Sequence, residues 1–356
     1  MLPDDFNLLG HSNDPDELRK LYDDLRSRCP VAHTSDYGGM WTLTRHADIA
    51  AAAQNSALFI SSVKAVVPSD PRGLRRPPLN FDAPDHTPFR TALDRTLKPS
   101  RLRHLEERLR VHSLAQLQPM LDAGGGDIAA EYGARFPAYA ETSWLNLDDD
   151  VAPELGETAA AWNGDLVTKH SQTLYQIARD LVADRKANPR DPEIDPASSL
   201  LLERVGAGGE PLPEEHITQL RENLQDVPAA VEEFIRLYSP YRGFARTVKE
   251  PVTLHGRTIN PGEPVTMTYC AANRDPEVFP NPNEFNLNRP NISQHLGFGK
   301  GRHRCAGMQL ARLMLQIAVH DLLEQTDSIE MAGECSGAMM PELGYITCPV
   351  KLVKRS

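Results

Sequence analysis

Ten residues near the C-terminus place a cysteine where it could bind a metal. They are Phe298, Gly299, Lys300, Gly301, Arg302, His303, Arg304, Cys305, Ala306 and Gly307. An apolar segment, residues 308–323, follows them and predicts a helix, so that Cys305 would lie at its start. Free backbone N–H groups and the positive end of the helix dipole favour a thiolate there. Because Gly299 and Gly301 have no side chain, the backbone can turn sharply and lie close to a flat group. A rigidly held thiolate beside bare backbone suits ligation of a heme iron.

The pattern Phe298-x-x-Gly301-x-x-x-Cys305-x-Gly307 resembles the heme-binding loop of the cytochrome P-450 superfamily. A buried free cysteine at a helix start is the alternative for Cys305 alone, and the neighbouring glycines and the upstream motifs favour the resemblance. The resemblance implies that Cys305 is both the iron ligand and the catalytic residue, and that the cofactor is heme b (iron protoporphyrin IX). The loop residues that it assigns to cofactor binding are Phe298, Gly299, His303, Cys305 and Gly307.

A second motif, which starts at Asp82 in the sequence Asp-Ala-Pro-Asp-His-Thr-Pro-Phe-Arg, offers two donors for an anion. His86 and Arg90 are four residues apart and share one face of a predicted helix. An exposed polar helix face is the alternative for such a pair. The resemblance covers this motif too, and implies that His86 and Arg90 bind the heme propionates. Arg246 matches another propionate-binding arginine of the family.

Glu233 and Arg236 match the E-x-x-R pattern of the same family, in which the pair is buried and joined to a later arginine. Arg289 lies in a stretch that resembles the family's meander motif and would complete this structural triad. The pattern is weak by itself, because Glu107 and Arg110 also match it and are expected to be a solvated helix pair. A buried triad of this kind fixes geometry rather than adding stability, so we expect it to hold the loop of Cys305.

Composition describes an ordinary globular protein. The chain has 356 residues, of which 40% are apolar and 24% are charged, and its formal net charge is −11. This charge argues against nucleic-acid binding. The N-terminus does not match a signal peptide or anchor, and no run reaches the roughly 18 apolar residues of a membrane span. We therefore expect a cytoplasmic protein without a membrane partner. Five widely spaced cysteines fit a reducing compartment and no disulfide framework.

Hydrophobic periodicity predicts mostly helices with a few short strands. Helices are expected at residues 14–28, 46–53, 102–118, 127–146, 153–187 and 308–323, and strands at 30–33, 39–45 and within 248–267. Residues 60–80 are expected to be irregular, and Gly124, Gly125 and Gly126 to form a flexible break. The predicted fold is mainly α with small, mainly antiparallel β-sheets. The resemblance implies a single domain, residues 1–356, with the heme between a distal and a proximal half.

One departure from the family pattern lies at residues 211–227. Family members have a long central helix of roughly 30 residues, about 45 Å, that crosses the distal face of the heme. Here the stretch between Glu215 and Pro228 is too short and too polar for such a helix, and it lacks glycine. Glu215 and Thr218 are an acid and an alcohol, but at a charged helix start they would more often be solvated. The alternatives are a real internal deletion and a segment that is missing from the sequence.

The resemblance implies a monooxygenase that inserts one oxygen atom of O2 into a small, largely apolar organic substrate. Electrons would come from a separate donor such as a ferredoxin, which binds the basic face around Cys305. The cations expected on this face are Lys98, Arg101, Arg103, Lys300, Arg302 and Arg304. The residues expected in an apolar pocket are Val63, Val66, Tyr241, Phe244 and Met339. The alternatives are a heme-thiolate enzyme that uses peroxide or is not an oxygenase, and a catalytically degenerate heme-binding protein.

Overall fold

The computed structural model describes residues 5–11, 13–69, 76, 78–165, 168–191, 194–196 and 224–355. The predictions for Glu215 and Thr218 therefore lie outside the described residues, as does most of the stretch 211–227. Among the described helices, none combines the length and the apolar character needed to cross a bilayer.

Helices make up most of the regular structure. In chain order they are α1 Pro15–Arg28, α2 His46–Gln54, α3 His86–Thr96, α4 Pro99–Leu102, α5 Glu106–Ala123, α6 Arg135–Trp144, α7 Val151–Asp165, α8 Thr168–Ala187, α9 Val227–Leu237, α10 Tyr269–Ala272 and α11 Met308–Gln325. The strands are β1 Val31–Thr34, β2 Met40–Leu43, β3 Phe59–Ile60, β4 Gly125–Asp127, β5 Phe244–Val248, β6 Val252–Leu254, β7 Arg257–Ile259, β8 Pro264–Met267, β9 Thr326–Met331, β10 Ser336–Gly337, β11 Tyr345–Thr347 and β12 Pro349–Lys354. The predicted class, mainly α with small and mostly antiparallel sheets, is confirmed.

Contacts along the chain divide it into two compact units. Unit 1 contains residues 1–88, 232–305 and 337–344, and unit 2 contains residues 89–231, 306–336 and 345–356. The expectation of a single domain, residues 1–356, stays a prediction.

Unit 1 is built on a five-stranded sheet in the order β1-β2-β8-β5-β3. The predicted hairpin of β1 and β2 is confirmed, with Val31 opposite Leu43. β2 and β8 are parallel, whereas the other neighbours are antiparallel. α1 begins at Pro15 because the Asp14 carboxylate accepts hydrogen bonds from the N–H groups of the first helical turn. Apolar side chains of this sheet and of α2, with Trp41 fully buried, form the core on which the Cys305 loop rests.

Unit 2 combines helices with a three-stranded sheet in the order β4-β12-β9. Its core joins α5, α6 and α11 through buried apolar residues, among them Leu109, Phe136 and Met314. The predicted helix at residues 308–323 is α11, which continues to Gln325. The long helix predicted at 153–187 is wrong, because α7 and α8 are separate helices.

The predicted flexible break at residues 124–126 is also wrong. Gly124 ends α5 in a left-handed conformation with φ of 74°, and the next two glycines belong to β4. Gly125 pairs with Lys351 and Gly126 with Val350 of β12. A Cβ atom on Gly125 would overlap the backbone of Val350, so this close pairing requires glycine. The sequence predicted a flexible backbone at these glycines. In the structure they instead allow β12 to lie close to β4.

Candidate functional site

The loop that carries Cys305 is a closed turn within unit 1. The N–H of Cys305 donates to the carbonyl oxygen of Phe298 at 2.8 Å, and the N–H of Gly299 donates to the carbonyl of Leu296 at 2.8 Å. Gly299 and Gly301 have φ values of 68° and 72°, which favour glycine. These two glycines allow the chain to double back, so that the half-buried Cys305 is held by its own backbone.

The same loop lies against two other elements of unit 1. A Cβ atom on Gly301 would overlap the carbonyl oxygen of Ala53, near the end of α2. A Cβ atom on Gly299 would lie 3.2 Å from the hydroxyl oxygen of Tyr269. The loop therefore has no room for side chains at these positions, and its place is fixed by α2 and by the start of α10.

Cys305 precedes a helix, as predicted. α11 begins at Met308, and Gly307, at its N-cap position, makes no side-chain hydrogen bond to the first turn. The carbonyl of Gly307 accepts from the N–H of Ala311 at 2.9 Å, as in a regular helix start. A sulfur three residues before a helix start is in the setting that favours a thiolate. Its role as an iron ligand stays a prediction, as do the contacts of Phe298, Gly299 and Gly307 with a cofactor.

His303, the histidine of the loop, is part of a polar cluster in unit 1. Its Nε2 lies 3.1 Å from Oγ of Ser61, and its ring centroid lies 4.4 Å from that of His86. The Asp82 carboxylate accepts hydrogen bonds from the N–H groups of Ser61 at 2.8 Å and Ser62 at 2.9 Å. Partial burial works against ionisation of Asp82, but these hydrogen bonds outweigh it and lower the pKa of the carboxyl. The structure thus brings together His86 and His303, which lie far apart in the sequence.

Arg246 is a buried cation on β5, with 3% of its surface exposed. Its Nη1 donates to the carbonyl of Ala245 at 2.7 Å, and no carboxylate among the described residues forms an ion pair with it. Burial lowers the pKa of the guanidinium, while Tyr269 and Asp82 partly oppose this effect. A buried charge without an ionic partner is costly, so this site fits an added anion. The propionates of heme are anions of this kind.

Arg90, a predicted propionate ligand, already forms an ion pair within its own helix. It lies four residues after His86 on α3 and belongs to unit 2. Its Nε donates to the carboxylate of Asp94 at 2.8 Å, an ion pair within the helix. A role for Arg90 at the cofactor stays a prediction.

Glu233, Arg236 and Arg289 form one buried ionic group in unit 1. Arg236 donates to both carboxylate oxygens of Glu233 at 2.7 Å, and Arg289 donates to Oε1 at 2.9 Å. The two guanidinium groups also donate to several backbone carbonyls of the segment that leads to Arg289, among them those of Pro282 and Glu284. Every strong donor and acceptor therefore has a partner, which is the condition for tolerating buried charges. The geometry brings the predicted triad together, and its role in holding the Cys305 loop stays a prediction.

Two features of this region were missed in the sequence. Ser61 is fully buried and contacts His303, but serines are common and its position after β3 gives no signal. A row of aromatic side chains also leads to the loop: the ring centroids of Tyr241 and Phe244 are 5.1 Å apart, and those of Phe244 and Tyr269 are 6.3 Å apart. Tyr241 and Phe244 were expected in an apolar pocket. Tyr269, which contacts Gly299, was not expected there.

The chain is similar to cytochromes P-450 in sequence and in fold. The family model of cytochrome P-450 matches residues 208–339. The chain is 25% identical to the steroid C26-monooxygenase of Mycolicibacterium smegmatis, covering 93% of this chain and 90% of that protein. It is also 25% identical to the linalool 8-monooxygenase of Pseudomonas putida, covering 84% of this chain and 86% of that protein. The fold matches that of the cytochrome P-450 CYP268A2 of Mycobacterium marinum in complex with pseudoionone, with a TM-score of 0.84, 23% identity and 99% of both chains covered.

The alignments show that relatives are longer internally. The alignment with the Mycolicibacterium protein is 389 residues long, but it includes only 93% of the 356 residues of this chain. That relative therefore carries residues with no counterpart in this chain.

Proposed function

Because this chain belongs to the cytochrome P-450 family of heme-dependent monooxygenases, we propose that its reaction centre is the Cys305 loop, with Cys305 as the thiolate ligand of heme b. Heme with a thiolate ligand activates O2 so that one oxygen atom can be inserted into a C–H bond. The observation that carries this assignment is the closed turn that holds Cys305 between Phe298 and the helix start of α11.

The polar residues of unit 1 bind the acidic side of the cofactor in this proposal. Arg246 is a buried cation without an ionic partner among the described residues, so a propionate would relieve the cost of its burial. His303 and His86 stack edge to face beside Ser61 and would donate hydrogen bonds to the same group. Arg90 belongs to unit 2, where it pairs with Asp94, and its role as a propionate ligand stays a prediction.

The substrate is proposed to be a small, largely apolar organic molecule. Tyr241, Phe244 and Tyr269 form an apolar row next to the Cys305 loop, and such a row favours apolar ligands. Two relatives are named for a steroid and for linalool, both of which are largely apolar.

Electrons are proposed to come from an acidic ferredoxin in the cytoplasm. Lys300, Arg302 and Arg304 lie together in the Cys305 loop, and both arginines are exposed. A local cluster of positive charge on a chain of net charge −11 steers an acidic partner to this loop. Lys98, Arg101 and Arg103 belong to unit 2, and their membership in this surface stays a prediction.

Arg304→Glu tests this docking surface. Because charge steering acts on association, the variant should slow reduction by ferredoxin about tenfold or more at low salt, and the difference should shrink as salt rises. Lys249→Glu is the matched control, because it changes net charge equally at an exposed site in unit 1 outside the loop. If the rate of reduction changes neither with Arg304→Glu nor with ionic strength, the proposed docking surface is contradicted.

A heme-binding protein with weak oxygenase activity is the second candidate. It is favoured by the internal shortness of the chain relative to the Mycolicibacterium monooxygenase. Productive oxygen chemistry needs a proton supply and a wall that excludes bulk water, and the family resemblance assigns both to a long distal helix. We propose that an internal deletion near 211–227 removes this wall.

Turnover under two electron sources separates the candidates. A monooxygenase should form hydroxylated product with NAD(P)H, a reductase and a ferredoxin, and should use close to one reductant for each product. A chain that lacks the distal wall should consume reductant without matching product, and a peroxide-driven enzyme should turn over with peroxide alone. Intact-mass measurement of the same sample shows whether its chain has the 356 residues of this sequence. Tight coupling by a protein of that mass would contradict the proposed deletion effect.

A further inference from the structure

Cys335 and Cys348 meet in unit 2, where two antiparallel segments run side by side. On one side of the cysteines β9 pairs with β12. On the other side the N–H of Ser336 donates to Oγ1 of Thr347 at 3.1 Å. The two cysteines are thus held opposite each other by pairing on both sides.

The side chains of Cys335 and Cys348 interact directly, and this contact adds to burial in raising the pKa of the Cys348 thiol. The backbone of Cys348 is fixed, because its N–H donates to Oδ1 of Asp127 at 2.8 Å and its carbonyl accepts from the N–H of Ile128 at 3.0 Å. Cys335 follows four exposed residues, 331–334, and is itself half-buried. Cys335 is therefore the member of the pair that lies next to exposed chain, whereas Cys348 has a fixed backbone.

We propose that Cys335 and Cys348 form a reversible disulfide when the protein meets a low-molecular-weight disulfide such as oxidised glutathione. The thiolate of Cys335 attacks one sulfur of the small disulfide, and one glutathione thiolate leaves. Cys348 then attacks the Cys335 sulfur of this mixed disulfide, loses its proton to solvent, and releases the second glutathione. Two protein thiols are oxidised, and one small disulfide is reduced to two thiols.

The two cysteines have different roles because their surroundings differ. Cys348 is 5% exposed, and burial together with the contact to Cys335 raises the pKa of its thiol to about 12. It therefore keeps its proton in the reduced protein and is shielded from reagents. Cys335 is the thiol that a small disulfide can reach, and Cys348 is the resolving partner.

The bond would close a ring at a particular place in the chain. Between the two cysteines the chain leaves unit 2 after Ser336, contributes residues 337–344 to unit 1, and returns at Tyr345. A disulfide between Cys335 and Cys348 joins the ends of this excursion and restricts the unfolded chain. The oxidised protein should therefore have a higher Tm than the reduced protein. This inference does not depend on the proposed oxygenase function.

The test equilibrates the holoprotein in glutathione buffers of increasing oxidised fraction, alkylates the remaining thiols and maps the peptides. Wild type should give a cross-linked peptide containing Cys335 and Cys348, with the rise in Tm. Cys29→Ser is the matched control, since Cys29 is another half-buried thiol, and it should behave as wild type. Cys335→Ser should lose both the cross-link and the rise in Tm.

Cys348→Ser distinguishes a resolving cysteine from a bystander. Without its partner, Cys335 should keep the glutathione, so that the mixed disulfide is about tenfold or more abundant than in wild type. Equal glutathione on Cys335 in wild type and Cys348→Ser would overturn the proposal. So would a cross-linked peptide that forms only after the protein has been unfolded.

Discussion

Gly301 shows how a single residue positions the candidate reaction centre. It needs a left-handed backbone, with φ of 72°, and it also needs an empty Cβ position beside the carbonyl of Ala53. Gly256, in the turn between β6 and β7, has a similar φ of 77° but open space around it. Comparing substitutions at the two glycines therefore separates the free-energy cost of a left-handed backbone from the cost of a steric overlap.

We predict that Gly301→Ala damages the loop and that Gly256→Ala does not. Gly256→Ala should cost only the left-handed strain, about 1–2 kcal/mol of unfolding free energy. Gly301→Ala should cost at least twice as much and should also lower the heme bound per chain, because the Cys305 loop must move away from α2. Chemical denaturation and the heme-to-protein absorbance ratio measure these effects. Equal losses in both variants would mean that the close approach to Ala53 is unimportant.

At the residue scale, the sequence indicated which side chains are candidates for the site, but it did not indicate which of them contact each other. The motif that begins at Asp82 drew attention to His86, and the Cys305 loop to His303. That the two imidazoles meet could not be predicted, because the contact depends on how the chain folds back after β3. Ser61, the residue beside His303, carries no pattern of its own.

At the scale of elements, the E-x-x-R pattern occurs twice with different outcomes. On α9, Glu233 binds Arg236 and Arg289, and all three are buried. On α5, Glu107 is exposed, and Arg110 instead pairs with Asp321 of α11 at 2.9 Å. The same three-residue spacing therefore belongs to a buried ionic group on α9, whereas on α5 the glutamate is exposed and the arginine pairs with a buried carboxylate of another helix.

These two glutamates give a matched pair of variants. Glu233→Gln should lower the free energy of unfolding by about 3–5 kcal/mol, because two buried guanidinium groups lose their countercharge. Glu107→Gln should change it by less than about 0.5 kcal/mol. Urea denaturation of both variants checks this prediction. If Glu233→Gln is as mild as Glu107→Gln, Arg236 and Arg289 do not depend on Glu233 for their countercharge.

A carboxyl group on α6 should make stability depend on pH. Burial raises the pKa of Glu141 from 4.5 to about 7, so the folded state holds a proton that the unfolded state releases. Its contribution is therefore fully present below about 4.5 and is lost as pH rises through about 7. Glu141→Gln should remove this loss, with a Tm above wild type at about pH 8 and close to wild type at about pH 4. Thermal unfolding across pH checks this, and an equal Tm difference at both ends would contradict it.

At the scale of the whole molecule, periodicity predicted the helical class, the first hairpin and the helix after Cys305. It failed where glycines pair closely in β4 and where one predicted helix is two, α7 and α8. Periodicity reports which face of a segment is buried, and it does not report where a neighbouring strand approaches or where a helix ends without a proline. The internal deletion near 211–227 stays a prediction; the alignment with the Mycolicibacterium protein shows that this relative has extra residues, without placing them at that stretch.

The central claim is that Cys305 binds the heme iron as a thiolate, and the spectrum of the reduced CO complex tests it most directly. Wild type should give the Soret band of a thiolate-ligated heme, because the sulfur is the axial ligand. Cys305→Ala and Cys305→His should lose that band, whereas Cys29→Ser, which removes a thiol far from the loop in sequence, should keep it. A thiolate-type Soret band that persists in Cys305→Ala and Cys305→His would contradict the assignment.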